Sequence, residues 1–295
     1  MRTSSQTNML ESWFGLDKAL DMMLDAGYTG IDLSLFSHDF AYLDDDGWPE
    51  RAKELRAKVE TRDAVFNQAH APFGGGFEHY TGVVAPVLPR VFQHVALLGV
   101  PEIVVHPVQR GRYYGHEKEL FEENLRFYRS LAPYAKEAGV RIAIENMWQR
   151  HPVTNRIVDD VCAPPEELAA LFDELDDPEA FTVCLDLGHA AICGREPEDC
   201  IRILGADRMG AMHAHDVNYR DDNHTLPGTL NIHWDEVCKA LADIGYRGDF
   251  TLEADYFYLG FGQEFAPEVC RFMAARARQL AEKTQSLLDS LRRKG

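Results

Sequence analysis

The chain reads as a (β/α)8 TIM barrel, a single domain over residues 1–295, on three observations. Short, continuous apolar runs alternate with amphipathic stretches from end to end; a glycine recurs between a helical stretch and the following run; and six runs end in an acid or a histidine. Continuous apolar strands alternating with helices describe a parallel sheet covered on its outside, and eight such units fit a chain of 295 residues.

The first strand, expected over 2–6, is short and polar, so the barrel is expected either to close imperfectly there or to borrow contacts from a partner subunit. A helix near 15–26 ends at Gly27 and feeds a strand at 31–35, followed by a helix at 49–61 and a strand at 65–70. Val84, Val87, Leu88, Val91, Phe92 and Val95 then set an apolar stripe at three-and-four spacing, the mark of a helix with one buried face. Gly99 ends it before the strand at 103–106. A helix at 116–138 stops at Gly139 before the strand at 142–145, and a helix at 165–175 precedes strands at 181–186 and 209–214. The helix at 233–245 ends at Gly245 before the strand at 250–254, and a last helix covers 264–290. Glycine at these points supplies the left-handed residue that terminates a helix, and a short loop starts the next strand. The last helix carries Arg271, Arg276, Arg278, Lys283, Arg292, Arg293 and Lys294, read as a solvated face that complements the helix dipole.

Composition narrows the function. Thirty basic against 48 acidic residues give a net charge of −18, and such a field repels polyanions, which disfavours nucleic acid as a partner. No run approaches the roughly 18 apolar residues of a membrane span, and the polar segment from Met1 to Met9 has no apolar signal core, so a cytoplasmic protein is expected. Cys162, Cys184, Cys193, Cys200, Cys238 and Cys270 form no Cys-x-x-Cys pair and are read as reduced, buried side chains. Whether the chain forms a homo-oligomer is left open.

The chemistry lies at the strand ends. His70, His106, Glu145, Asp186, His213 and Glu253 each close an apolar run, and in such barrels the C-terminal strand ends and the loops beyond them form the site. A run ending in an acid would bury an unpaired carboxylate at several kcal/mol unless a cation or hydrogen bonds compensate it. Few arginines lie near these ends. Glu145, Asp186, His213 and Glu253 therefore read as one metal site, and a set dominated by oxygen suits Mn²⁺, Mg²⁺ or Co²⁺, with Zn²⁺ as the alternative. His70 and His106 would form a second metal site sharing Glu145, or hydrogen-bond a substrate. His189, three residues after Asp186, is placed to touch the same ligand. His215 shares the parity of His213. Asp222 and His224 lie in a polar loop expected over the site. Gly74-Gly75-Gly76 lacks the spacing and lysine of a phosphate loop and reads as a flexible segment. The segments Arg110 to Tyr114 and Tyr256 to Phe261 would wall the substrate or pack elsewhere.

His70-Ala71-Pro72, Val105-His106-Pro107, Ile144-Glu145-Asn146, Leu185-Asp186-Leu187-Gly188-His189, His213-Ala214-His215-Asp216 and Leu252-Glu253 together resemble the xylose isomerase-like TIM-barrel superfamily, which includes sugar isomerases, sugar epimerases and endonuclease IV. The resemblance to the ketose 3-epimerase branch implies that Glu145, Asp186, His213 and Glu253 hold one divalent ion, that Glu145 and Glu253 act as acid and base, and that His189 helps to hold the sugar. The resemblance to endonuclease IV implies three zinc ions on His70, His106, Glu145, Asp186, His189, His213, Asp222, His224 and Glu253, all of which are present.

Two departures favour the sugar branch. Where the endonucleases continue with small residues after the glutamate, this chain has Asn146-Met147-Trp148-Gln149, and the 36–49 segment carries Asp39, Asp44, Asp45 and Asp46 with no arginine, a poor surface for duplex phosphates. His224-Thr225-Leu226-Pro227-Gly228 leading to Ile232-His233-Trp234 also resembles the sugar isomerases. The expected activity is a metal-dependent isomerase or epimerase of a ketose or related sugar, with Glu145 and Glu253 moving a proton beside the carbonyl through an enediolate. The alternatives are a zinc phosphodiesterase acting on abasic DNA, a keto-inositol dehydratase, and a non-catalytic sugar-binding barrel.

Overall fold

A computed structural model describes residues 1–36 and 40–293. Strands β1 (Thr3–Ser5), β2 (Gly30–Ser34), β3 (Val65–His70), β4 (Glu102–Val105) and β5 (Arg141–Glu145) are followed by the short pair β6 (Trp148–Arg150) and β7 (Ile157–Asp159), then by β8 (Phe181–Asp186), β9 (Met209–His213) and β10 (Phe250–Leu252). β2, β3, β4, β5, β8 and β9 form one parallel sheet in that order. β1 pairs in parallel with β10, Ser4 opposite Thr251, and bridges from Gln6 to Asp32 and from Ala214 to Leu252 join that pair to both edges of the sheet. The result is a closed TIM barrel of eight parallel strands.

The expectation of imperfect closure at the first strand is corrected. β1 is polar because its side chains turn into the barrel: Ser4 Oγ donates to Thr251 Oγ1 at 2.7 Å and Gln6 Nε2 to Glu253 Oε1 at 2.7 Å, with both residues buried. The backbone joins in, with the Thr7 N–H donating to the Asp32 carbonyl and the Gln6 N–H to that of Leu252. Polar pairs thus stand where apolar ones were looked for, and no partner subunit is needed.

The helices fall close to their expected places. Gly27, Gly139 and Gly245 end Leu16–Ala26, Glu117–Ala138 and Trp234–Ile244 in the left-handed conformation. Additional helices occupy Asn8–Phe14, Leu187–Ile192 and Pro197–Leu204, each too short to show a clear period, and the stripe after Val84 becomes a regular α-helix only from Leu88. A continuous apolar core runs between strands and helices from Leu10 to Ala281. The C-terminal helix, Ala266–Arg292, is less purely solvated than expected: Arg278 donates to the Gly27 carbonyl and Arg276 to that of Pro227. The six cysteines are free thiols, and all but the half-buried Cys193 are buried. None of the helices in the described residues is long and apolar enough to cross a membrane.

Inside the barrel, Val104, Ala143, Cys184 and Ala211 form a small apolar layer. His106, Glu145, Asp186 and His213 each follow one of these by two residues. The period of two that lays a strand's alternate side chains on one face therefore sets all four above that layer, at the C-terminal mouth.

Candidate metal centre

Glu145 on β5, Asp186 on β8, His213 on β9 and Glu253 just beyond β10 converge, with ligand atoms all within 4.8 Å of one another. His213 Nδ1 lies 2.9 Å from Glu145 Oε1, 2.7 Å from Glu253 Oε2 and 3.8 Å from Asp186 Oδ2. All four residues are buried, and none of the carboxylates pairs with an arginine or lysine among the described residues. Glu145 Oε2 and Glu253 Oε2 are buried without a hydrogen bond of acceptable geometry. Three carboxylates, two of them with an orphaned oxygen, around one imidazole nitrogen fit a divalent cation, since unpaired buried charge would otherwise cost several kcal/mol.

Two further groups border this one. His70 Nε2, His106 Nε2 and Glu145 Oε2 draw together, 3.2 Å between the two nitrogens and 2.9 Å from His106 to the carboxylate. On the other side His189, His215, Asp222 and His224 gather: His224 Nε2 is 3.0 Å and His189 Nε2 3.7 Å from Asp222 Oδ2, while His215 Nε2 is 3.0 Å from Asp186 Oδ1. The His215 and His224 rings stack at 4.1 Å. Every site residue expected from the sequence thus lies at this mouth. Asp39 lies outside the described residues, as does Lys294.

The histidines are held as ligands are held. Nδ1 of His70, His189 and His224 each faces a backbone carbonyl, that of Ala71, Asn146 and Glu253 respectively, at 2.9 Å. A carbonyl only accepts, so Nδ1 carries the proton and Nε2 is directed at the carboxylates; this is the outer-shell arrangement typical of metal-binding histidines. Electrostatics agree. Burial disfavours charge at His213 and His189, yet the surrounding anionic groups outweigh it and raise both well above the ordinary histidine range. Burial likewise opposes ionisation of Glu145 and Glu253, but their imidazole neighbours hold both carboxyls well below the usual range. At His106 burial prevails over Glu145 and the pKa is lowered. Without a metal ion, protons on the imidazoles answer the demand for positive charge.

Several supporting residues have no role in the sequence reading. Gln68 Nε2 donates to Asp32 Oδ2 at 2.9 Å and lies 2.8 Å from His213 Nε2, behind the ligand nitrogen. Asn146 ties β5 to β8 by accepting from the Asp186 N–H at 2.7 Å and donating to the Asp186 carbonyl at 2.9 Å. Asp216 accepts five hydrogen bonds that shape the loop carrying Asp222 and His224. The available signal was a polar residue inside an apolar run, as in Ile31-Asp32-Leu33, or one sharing parity with a ligand, as Gln68 does with His70.

Aromatic rings wall the polar floor. Phe36 and Phe73 pack on His70 at 4.8 and 5.0 Å, Phe73 on His106 at 4.4 Å, Trp148 stands 6.4 Å from His189, and Tyr256 5.4 Å from His224. Gly74, Gly75 and Gly76, all at positive φ, lead away from this wall. Arg110, in the loop after β4, pairs with Glu123 of the Glu117–Ala138 helix and lies over Phe77. On the 36–49 segment Arg90 reaches in from a neighbouring helix to pair with Asp44, a cation the local sequence did not show.

Comparison with known proteins agrees with this architecture. A D-psicose 3-epimerase from Enterocloster bolteae is 30% identical over 129 residues, 44% of this chain and 38% of the epimerase. Among solved structures, a D-tagatose 3-epimerase-like protein superposes with a TM-score of 0.74 at 19% identity, covering 98% of this chain and 99% of its own. An IolI protein with a bound zinc atom gives 0.70 at 17% identity, covering 98% and 99%. The xylose isomerase-like TIM barrel family matches residues 20–276, and the chain belongs to that family.

Proposed function

We propose that the protein is a divalent-metal-dependent isomerase or epimerase acting on a ketose or related sugar. The observation that carries this reading is the buried group of Glu145, Asp186, His213 and Glu253, three carboxylates gathered on one imidazole, two of them with an orphaned oxygen and none paired with a lysine or arginine among the described residues. Likeness to ketose 3-epimerases supports the substrate class.

These four side chains would hold the ion, which when bound would supply Lewis-acid charge at the sugar carbonyl and so make the neighbouring C–H more acidic. Glu253 and Glu145 remove and return that proton. Glu253 is oriented by Gln6, whose amide occupies Oε1 and leaves Oε2 facing the site. His189, with Nδ1 anchored on Asn146, directs Nε2 toward the substrate hydroxyls. The rings of Phe36, Phe73, Trp148 and Tyr256 offer apolar faces to the C–H side of a sugar and exclude water from the carbanion. Proton transfer on opposite faces of one carbon gives epimerisation; transfer to the adjacent carbon gives aldose–ketose isomerisation. The oxygen-rich core favours Mn²⁺, Mg²⁺ or Co²⁺, and the histidines around it favour Zn²⁺.

A second reading, a zinc phosphodiesterase like endonuclease IV, is favoured by one specific observation: three ligand groups share the mouth and Glu145 belongs to two of them. The acidic charge and the bulk of Trp148 beside His189 weigh against it. Metal analysis of the purified protein, followed by parallel assays on a ketose panel, keto-inositol and an abasic duplex, separates the readings. Ketose turnover that chelation abolishes and a divalent ion restores is the expected result. Nicking of the abasic duplex with three zinc ions per chain and no sugar turnover would overturn it, and water loss from keto-inositol alone would move the assignment to the dehydratase.

A further inference from the structure

Beside the metal centre, at the same end of the barrel, a cavity of 590 Å³ is lined by Arg150, Arg156 and Arg220, with Asn155, Ile192 and Asp221. The chain has 18 more acidic than basic residues, and most of its arginines are paired with carboxylates. These three are not, among the described residues. Arg150 spends one N–H on the Asn155 carbonyl, and its guanidinium lies 5.6 Å from the Trp148 ring centroid. The only carboxylate in the lining, Asp221, accepts from Asn218 Nδ2. Three guanidiniums against one carboxylate leave an excess of positive charge in a strongly acidic protein.

Each segment that lines this cavity also supports the metal centre. The β6–β7 hairpin carries Arg150 and Arg156 and also Trp148, whose ring stands 6.4 Å from His189. The helix Leu187–Ile192 contributes Ile192 here and His189 there. Arg220 and Asp221 directly precede Asp222, which faces His189 and His224. Arg150 thus stands one aromatic ring from His189, and Arg156 and Arg220 line the same cavity with it, an arrangement suited to the two ends of one small substrate.

We propose that this cavity is a subsite for a phosphate monoester carried by the sugar, so that the substrate is a ketose phosphate; the inference rests on the sugar-isomerase reading and deepens it. Planar guanidiniums bind phosphate oxygens in pairs, and three of them match a dianion with three free oxygens. A volume of 590 Å³ exceeds what a phosphate group alone fills. The arginines are exposed, so their attraction is screened by salt and binding weakens as ionic strength rises.

The test uses the metal-loaded protein with matched pairs of ketoses, fructose and fructose 6-phosphate, ribulose and ribulose 5-phosphate, and compares wild type with Arg156→Gln and Arg220→Gln. Calorimetric binding of inorganic phosphate provides a readout independent of turnover. The expected result is a preference of at least tenfold in kcat/KM for the phosphorylated member, lowered roughly tenfold by either substitution through KM, with phosphate binding weakened in parallel. Equal or better use of the free sugar, an unchanged preference in both variants, or no phosphate binding would overturn the subsite. So would a preference for a sugar carboxylate, or loss of abasic-duplex binding alone. If no ketose of either kind reacts while phosphate still binds and the variants lose it, the isomerase reading fails and the anion subsite stands.

Discussion

Asp216→Asn gives the most quantitative test of how the loop over the metal centre is held. The carboxylate is fully buried. Oδ1 accepts from the N–H groups of Val217 and Ile232, both at 3.0 Å, and Oδ2 from Gly228 at 2.7 Å, Leu230 at 3.0 Å and Trp234 Nε1 at 3.1 Å. An amide keeps only one oxygen. Whichever way it turns, at least two donors then face an NH₂ group. Hydrogen bonds to a charged acceptor contribute about 1.5–3 kcal/mol each, so losing two costs roughly 3–6 kcal/mol before donor–donor repulsion is counted. The loss falls on the segment carrying Asp222 and His224, because Asp216 gathers the chain on both sides of them. Urea unfolding should show a drop of that size, and hydrogen exchange should show early opening of residues 217–232. A change below about 1 kcal/mol, with that loop still protected, would refute the assignment of Asp216 as its organiser.

Glu253→Gln should leave the barrel folded and lower turnover of a ketose by about 10²–10⁴, the usual loss when a general base is removed; full activity would end the role given to Glu253. Gly188→Ala would place a Cβ 2.0 Å from His215 Cε1, so the ring must move off Asp186. The expected cost is about 1–3 kcal/mol of stability with weakened metal binding, read by thermal unfolding and metal titration, and an unchanged Tm and affinity would contradict it. Burial disfavours the His224 imidazolium, but the hydrogen bond and charge of Asp222 outweigh it and push the pKa up to about 10. This folded pKa exceeds the unfolded value of about 6.5, so in metal-free protein the stabilisation is full below pH 6.5 and fades as pH rises toward 10. Urea unfolding of the metal-free protein between pH 6 and 10 should show that loss, and a flat profile would count against the charged His224; an ion at the four-residue centre would take His213 Nδ1, whose pKa is likewise raised, so calorimetry in buffers of different ionisation heat at pH 7.5 should report proton release on metal binding.

The barrel was legible because strand and helix periods are local properties. Runs such as Ile103-Val104-Val105 and the stripe from Val84 to Val95 depend only on neighbours in sequence. The ligands were legible for a related reason, since an acid or histidine ending an apolar run is anomalous wherever the run folds. Closure at β1 was misjudged because Ser4 and Gln6 find their partners, Thr251 and Glu253, 247 residues away. The β6–β7 pair and the helices at 187–192 and 197–204 were missed because elements of three to eight residues are too short for a period to declare itself.

By itself the sequence determined the barrel, the strand ends as the place of chemistry and the types of side chain gathered there. Tertiary structure decided which of them meet: that His213 Nδ1 faces Glu145 and Glu253, that Gln68 and Asp32 stand behind it, and that Arg150, Arg156 and Arg220 line one cavity, with Arg150 a ring's width from His189. The division has a physical cause. A hydrophobic period is written in adjacent residues, whereas a ligand shell is assembled across strands whose register and tilt are fixed only when the barrel closes.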